Sequence, residues 1–416
     1  MELRDAERLL LSLELFGMRF GLDRMRRLLT ALGSPQERFG AVHVVGTNGK
    51  SSTVRMAAAI LRRHGLRTGA YLSPHLVTFA ERVRVDDEDV TGAEFAAAIQ
   101  RAAAAADKVN RTAAPDDHVT QFELLTAAAF DHFARAGCDV AVVEAGLGGR
   151  YDATNVLQSQ VAVLTNVGLE HTRWLGPTIA AIATEKLDVV EPDSTLVIGR
   201  ELHPDARALA EATARERGAT LVEATDDPGV EILARGAFQR LNFAEATAAA
   251  RAYLATLGRE LDDAAVRAAA ASTLVPGRFE VVAERPDTVL DGAHNPGGLE
   301  ALAEALPEFV GGRRLVAVLA VLDDKDTAGM LRTILPLCDA VVTTRAQTPR
   351  SLPPATLASL CHQLGFAGDV EIVGEGRAAL ARARDLAGPD GVALATGSIY
   401  LIADLLRPAG AARSTL

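Results

Sequence analysis

Aromatic side chains are scarce in this chain. They make up 4% of 416 residues, with a single tryptophan. With so few rings the interior must be built from Ala, Leu and Val, a composition that suits a helix-rich α/β protein. Cysteine is scarcer still. Cys138, Cys338 and Cys361 show no C-x-x-C spacing, which argues against a disulfide framework or a zinc ribbon. Cys138 and Cys338 each precede an apolar strand-like run and are expected to be buried thiols in a reducing compartment. Positive charge is outweighed, 43 Lys and Arg against 54 Asp and Glu, for a net charge of −11. That balance speaks against non-specific binding to nucleic acid or to an acidic membrane, and leaves room for a local basic cleft. No apolar run reaches transmembrane length, and Glu2, Arg4, Asp5 and Glu7 interrupt the start where a signal peptide would be apolar. There are no internal repeats. The reading is of a soluble, cytoplasmic protein that acts as a monomer.

What is present is apolar content of 49%, ample for two or three cores. Strand candidates fall at 41–45, 139–144, 161–166, 195–199, 288–291, 314–320, 339–344 and 391–396. Helical stretches separate most of them, the pattern of doubly wound α/β sheets. The series breaks near 272–286, where Pro276-Gly277-Arg278 follows an Ala-rich helix at about 263–272. Two domains are expected, 1–275 and a smaller 276–416. The Ala tract 102–106 belongs to a helix, Arg19, Arg24, Arg26 and Arg27 read as a solvated helical face, and the chain from Pro408 on reads as frayed.

The strongest local signal is Val42-His43-Val44-Val45-Gly46-Thr47-Asn48-Gly49-Lys50-Ser51-Ser52-Thr53. A β-branched run breaks into a glycine loop, then lysine and hydroxyls, then helical spacing from Val54 to about His64. This is the layout of a phosphate cradle. Glycines let backbone N–H groups close on phosphate oxygens, the helix N-terminus adds positive charge, lysine neutralises β/γ-phosphate charge, and a hydroxyl can ligate Mg²⁺. Val44 stands where the usual P-loop has its first glycine. A capped tight turn is the other reading, and the lysine argues against it.

Other candidates sit where strands end. Glu144 closes an apolar strand before Gly146-Leu147-Gly148-Gly149, at the sheet edge where ligands bind. It can hold Mg²⁺ or cap the turn. His171 follows the 161–166 strand and is either a ligand or a structural histidine. Asp291-Gly292-Ala293-His294-Asn295-Pro296 repeats the strand-end pattern in the second domain, where Asp291 could reach a ribose hydroxyl and His294 a phosphate, or both could serve a helix cap. Arg278 faces a phosphate or is a solvated linker charge.

Together these segments resemble the folylpolyglutamate synthase/dihydrofolate synthase branch of the Mur ligases. The resemblance is carried by Gly46-Thr47-Asn48-Gly49-Lys50, Ser73-Pro74-His75-Leu76 with Glu81-Arg82, and Glu144-Ala145-Gly146-Leu147-Gly148-Gly149-Arg150-Tyr151-Asp152-Ala153-Thr154-Asn155. Thr165-Asn166-Val167-Gly168-Leu169-Glu170-His171, Glu185-Lys186, Pro276-Gly277-Arg278-Phe279-Glu280, Asp291 to Pro296, Asp324-Lys325-Asp326 and Thr396-Gly397-Ser398 continue it. The segments stand in the family's order from about 42 to 402.

The resemblance implies a P-loop-type ATPase domain followed by a Rossmann-like domain. It implies that ATP phosphorylates a carboxylate of a pteroate or folate compound, and that L-glutamate displaces the phosphate to form an amide. Closure of the two domains would keep water from the acyl phosphate. It further implies roles. Gly46, Thr47, Asn48, Gly49 and Lys50 cradle phosphates, and Ser51 or Ser52 contacts a first Mg²⁺ with Ser73 and Glu144. His171 and a carbamylated Lys186 hold a second Mg²⁺. Asn242 lies on the adenine side, while Arg278, Asp291 and His294 reach phosphates and ribose. Lys186 is followed by Leu187-Asp188 where the family has Ala-Gly. Phe79 and Phe122 read as core rings, with pterin stacking as the other use. A Mur-like ligase of another carboxylate and a non-catalytic nucleotide-binding protein are the competing readings. The presence of Lys50, Glu144, His171 and Lys186 weighs against the last.

Overall fold

The computed structural model describes residues 1–13, 21–114, 117–224 and 229–408. Arg19 and the tail beyond Pro408 therefore lie outside the described residues. The chain divides into two compact units, Met1–Ile232 with Leu241–Thr273, and Leu233–Arg240 with Leu274–Leu416.

The first unit carries an eight-stranded sheet. In chain order its strands are β1 (Gly40–Val45), β2 (Thr68–Tyr71), β3 (Val83–Val85), β4 (Glu88–Asp89), β5 (Val140–Glu144), β6 (Val161–Leu164), β7 (Thr195–Ile198) and β8 (Thr220–Glu223). Their spatial order is β4-β3-β2-β5-β1-β6-β7-β8. β1 pairs in parallel with β5 on one side and β6 on the other. β5 and β6 are buried along their whole length, as is β1 after Gly40, and so apart from His43 in β1 and Glu144 at the end of β5 they read as apolar runs rather than alternating ones. Chain order reverses direction at β1, so the loop after it lies at a topological switch point.

Helix Lys50–Arg63 follows β1 directly. It starts four residues before the apolar spacing at Val54 suggests, because left-handed Gly49 ends the loop and Lys-Ser-Ser-Thr forms the first turn. Helices Leu3–Ser12, Asp23–Ala31, Gly92–Asn110 and Gln121–Ala136 bury one apolar cluster, and Ile179–Leu187 with Pro204–Arg217 bury another. The Ala tract lies inside Gly92–Asn110 as expected.

The second unit carries β9 (Glu280–Ala283), β10 (Asp287–Leu290), β11 (Leu315–Leu319), β12 (Ala340–Thr343), β13 (Asp369–Ile372) and β14 (Val392–Thr396), in the order β13-β12-β11-β14-β10-β9. All are parallel to their neighbours except edge strand β9. Insertion of β14 between β10 and β11 places a switch point beside Asp291.

Two expectations need correction. Arg24 is not on a solvated face. It is 7% exposed, with Nε 3.2 Å from both oxygens of Glu123 and Nη1 2.7 Å from Asp117 Oδ1, tying its helix to Gln121–Ala136. Cys338 is only partly buried, because it sits in the turn ahead of β12 rather than within the strand. Cys138 and Cys361 are buried.

Candidate active site

In the first unit the strand ends converge on the loop after β1. Glu144, the last residue of β5, is 1% exposed. Its carboxylate accepts from Ser51 Oγ at 3.0 and 2.8 Å and from the Ser73 N–H at 3.1 Å. Ser51 stands in the first turn of Lys50–Arg63, facing the strand ends, whereas Ser52 is 3% exposed on the packed side of the same helix. The geometry thus brings Ser51, Ser73 and Glu144 together and leaves Ser52 apart from them.

Lys50, Lys186, His171 and Glu170 line a neighbouring cleft with Gly46 and Leu147. Lys50 Nζ donates to Thr47 O at 3.1 Å. Lys186 is 5% exposed and its Nζ donates to Gly46 O at 2.7 Å. Burial, and then the charge of Lys50, pulls the Lys186 ammonium down to about 7. A buried lysine beside a second cation is thus shared between ammonium and free amine at neutral pH. His171 occupies a left-handed conformation ahead of the short helix Thr172–Leu175, with Nε2 4.0 Å from Glu170 Oε1.

Two glycines explain how these groups approach each other. Gly49 has φ of +85°, and a Cβ there would overlap Asn242 Oδ1, so loop and asparagine meet only because the side chain is missing. Gly149 presses on the backbone of Glu185 and Lys186, where a Cβ would collide with both carbonyls. Arg150 holds that approach, its N–H donating to Glu185 O at 2.9 Å and its Nη1 lying 3.0 Å from Glu185 Oε1. The G-L-G-G-R run therefore seats the helix that carries Lys186.

In the second unit, Asp291 follows β10 and is 3% exposed. Its oxygens accept from the Phe279 and Ala293 N–H groups, both at 2.8 Å. Burial raises its carboxyl, and nearby Arg278 opposes that shift. Asp291 therefore organises its own turn. Asn295 caps helix Pro296–Val310 by accepting from Gly298 N–H at 2.8 Å. His294 Nδ1 lies 2.9 Å from Gly292 O, which fixes that nitrogen as the donor. Arg278 packs against Gly292, where a Cβ would overlap its guanidinium. The two basic side chains thus sit at one sheet edge.

A Mur ligase middle domain model matches residues 44–224, and a model described as Mur ligase, glutamate ligase domain matches residues 277–399. The dihydrofolate synthase/folylpolyglutamate synthase of Escherichia coli (strain K12) is 32% identical over 411 residues, covering 95% of this chain and 92% of that protein. The chain belongs to the folylpolyglutamate synthase/dihydrofolate synthase family. It is an ATP-dependent ligase of the Mur type.

A solved structure of Mycobacterium tuberculosis folylpolyglutamate synthase, complexed with ADP and AMPPCP, matches with a TM-score of 0.88 at 33% identity, covering 97% of each chain. A bifunctional folylpolyglutamate synthase/dihydrofolate synthase from Yersinia pestis, complexed with AMPPNP and a Mn ion, matches with a TM-score of 0.84 at 28% identity, over 98% of this chain and 97% of that one. The probable bifunctional folylpolyglutamate synthase/dihydropteroate synthase of Haloferax volcanii is 36% identical over 97% of this chain, which spans 50% of that longer protein. These relatives support use of ATP and a divalent metal by this ligase.

Several site residues escape sequence reasoning that looks for cations and metal ligands. Asn166 Oδ1 accepts from the Asn48 N–H at 2.8 Å, and Thr165 Oγ1 donates to Asn48 O at 2.6 Å, so the strand end at β6 shapes the loop. Arg82 Nε donates to His75 Nδ1 at 3.0 Å and folds the Ser73 segment. The only signal was their place inside motifs read for other residues. Phe79 is fully buried with its ring 4.3 Å from His75 and is a core ring, whereas Phe122 is partly buried, packing on Tyr71 with its ring tip against Gly146 of the cleft.

Glu144→Gln preserves shape but removes charge from the Ser51–Glu144–Ser73 group. ATP turnover at ordinary Mg²⁺ is expected to fall about 100-fold or more and to recover in part at raised Mg²⁺. Unchanged turnover in a magnesium titration would take Glu144 out of the metal site.

Proposed function

We propose that this ligase adds L-glutamate both to dihydropteroate and to reduced folates, through an acyl phosphate made at the Lys50 cleft. The observation that carries the reading is the meeting of Lys50, His171 and Lys186 in one cleft beside Ser51, Glu144 and Ser73. Carboxylates are poor electrophiles, and phosphorylation supplies the leaving group. Phosphoryl transfer needs charge neutralised over the transferring oxygens, which is a task of positioning and electrostatics. Lys50 sits at the helix start to do this. The C–N bond to glutamate then forms as the C–O bond to phosphate breaks.

The residues fit magnesium. Ser51, Ser73 and Glu144 offer hard oxygen donors, and Mg²⁺ is usually held by one or two carboxylates plus substrate phosphates and water. Among the described residues no group of three or more His, Cys, Asp or Glu forms a cage of its own. A metal at this place would therefore share its shell with the nucleotide. When bound it would draw charge from the transferring phosphoryl group. A second Mg²⁺ is assigned to His171 and Lys186, with the lysine carrying a carbamate. The shared proton of Lys186 supports this, since only the free amine adds CO₂, releasing one proton. The loop Gly46, Thr47, Asn48 and Gly49 takes the phosphates, with Asn242 behind it. In the second unit Arg278 and His294 take nucleotide oxygens while Asp291 holds their turn. No described helix is long and apolar enough to cross a membrane. The scarcity of cysteine supports a cytoplasmic site of action, and the proposal assumes a monomer.

The test is glutamate-dependent ADP release with 7,8-dihydropteroate and with tetrahydrofolate in separate reactions. Turnover with both is expected. Turnover with one alone would limit the enzyme to that half of the family's chemistry, and none with either would point to a Mur-like ligase of another carboxylate.

A further inference from the structure

Glu245 is a buried carboxyl group with no part in the chemistry above. It lies on helix Ala237–Thr256, 5% exposed, one turn after Asn242. Its Oε2 is 3.1 Å from Thr53 Oγ1, and Thr53 is fully buried in the first turn of the helix that carries Lys50. Thr53 Oγ1 is also 3.1 Å from Gly49 O, the last carbonyl of the loop. The other oxygen of Glu245 faces Gly199, where no Cβ would fit, and Gly199 packs on the Thr165 carbonyl. Thr165 is the residue that holds Asn48.

A threonine hydroxyl has one proton, and a carbonyl can only accept. Facing an ionised Glu245, Thr53 could donate to the carboxylate or to Gly49 O, not to both. With a carboxylic acid both contacts are made: Glu245 donates to Thr53 Oγ1, and Thr53 donates to Gly49 O.

We propose that Glu245 is a positioning residue for the nucleotide loop, held as the carboxylic acid so that its proton fixes the Gly49 carbonyl through Thr53. The inference rests on the reading of the Lys50 loop as the nucleotide site. The surroundings suit a neutral acid. Its two oxygens lie against the Thr53 hydroxyl and the Gly199 backbone, neither of which titrates. Among the described residues no charged side chain contributes to its environment. Burial, opposed only by the Thr53 bond, pushes its carboxyl up to about 8. Above that pH the Thr53 proton turns to the carboxylate and Gly49 O loses it, so nucleotide binding weakens as pH rises.

The experiment measures the affinity of ADP with Mg²⁺ by calorimetry for wild type, Glu245→Gln and Lys50→Ala. Glutamine keeps the shape and donates at every pH. Between about pH 7 and about pH 9.5 the wild-type Kd is expected to rise about three- to tenfold more than that of Glu245→Gln. At about pH 7 the two should agree within about twofold. The comparison cancels titration of Lys186 and of the nucleotide, which both proteins share. Parallel pH profiles, or a Glu245→Gln protein already weak at neutral pH, overturn this inference alone when Lys50→Ala has lost affinity. A Lys50→Ala protein that binds ADP like wild type overturns the loop reading and this inference with it.

Discussion

Replacing Lys50 with alanine is expected to lower ATP turnover by about two to three orders of magnitude while leaving the fold intact. Lys50 is the first residue of its helix, and its side chain folds along the loop to Thr47 O. It supplies the mobile positive charge in a cleft whose other near cation, Lys186, is pulled toward neutrality. Loop amides and the helix terminus can still bind phosphate without it, so nucleotide affinity should fall less than the rate. Lys50→Arg should not rescue. A planar fork cannot follow the short path along the loop that a single ammonium takes. Steady-state ADP release and thermal unfolding, measured together, check this. Near-normal turnover in a folded Lys50→Ala protein would remove the lysine from phosphoryl transfer.

Lys186→Ala is expected to lower activity about 10- to 100-fold, and small carboxylates such as acetate or formate should restore part of it. The alanine leaves a pocket beside Gly46 O in which a carboxylate can stand for the carbamate. Wild-type activity should also depend on dissolved CO₂, and the sign with pH follows from the lysine. Its pKa is depressed, so the free amine predominates above about 7 and the ammonium below it. Carbamate formation, and activity with it, is therefore lost as pH falls through that value. Full activity in CO₂-stripped buffer, or a Lys186→Ala enzyme at full rate, would exclude the carbamate.

Much of this was legible in the sequence because the central strands are buried on both faces. β5, β6, β11, β12 and β14 are buried along their whole length, and β1 and β7 after a partly buried first residue; apart from His43 in β1 and polar residues at strand ends they are apolar runs and declare themselves. β10, after a partly buried first residue, does the same. β8 and β13 do not, because they lie at sheet edges with much of their surface in water and carry polar residues. β2 escaped for a different reason. Thr68-Gly69-Ala70-Tyr71 is fully buried but only its last residue is large, Thr68, Gly69 and Ala70 being small, since Phe133 fills the space over Gly69.

The site was legible through its cations. The chain has only four lysines, Lys50, Lys108, Lys186 and Lys325, and three of them stand in family motifs. The polar groups that shape the loop were hidden. Thr165, Asn166 and Glu245 act on Asn48 and Gly49 from strands and helices far along the chain, and no local pattern links them. Arg24 shows the reverse error. Its Arg-rich neighbourhood looks solvated, and only the fold brings Glu123 and Asp117 to it.

Isotope transfer tests the central claim most directly. A folate substrate labelled with ¹⁸O in the reacting carboxylate would be turned over with ATP and L-glutamate, and the released phosphate analysed by mass. An acyl phosphate requires one carboxylate oxygen to leave with the phosphate, so labelled phosphate is predicted. Unlabelled phosphate at full amide yield would contradict activation of the carboxylate at the Lys50 cleft.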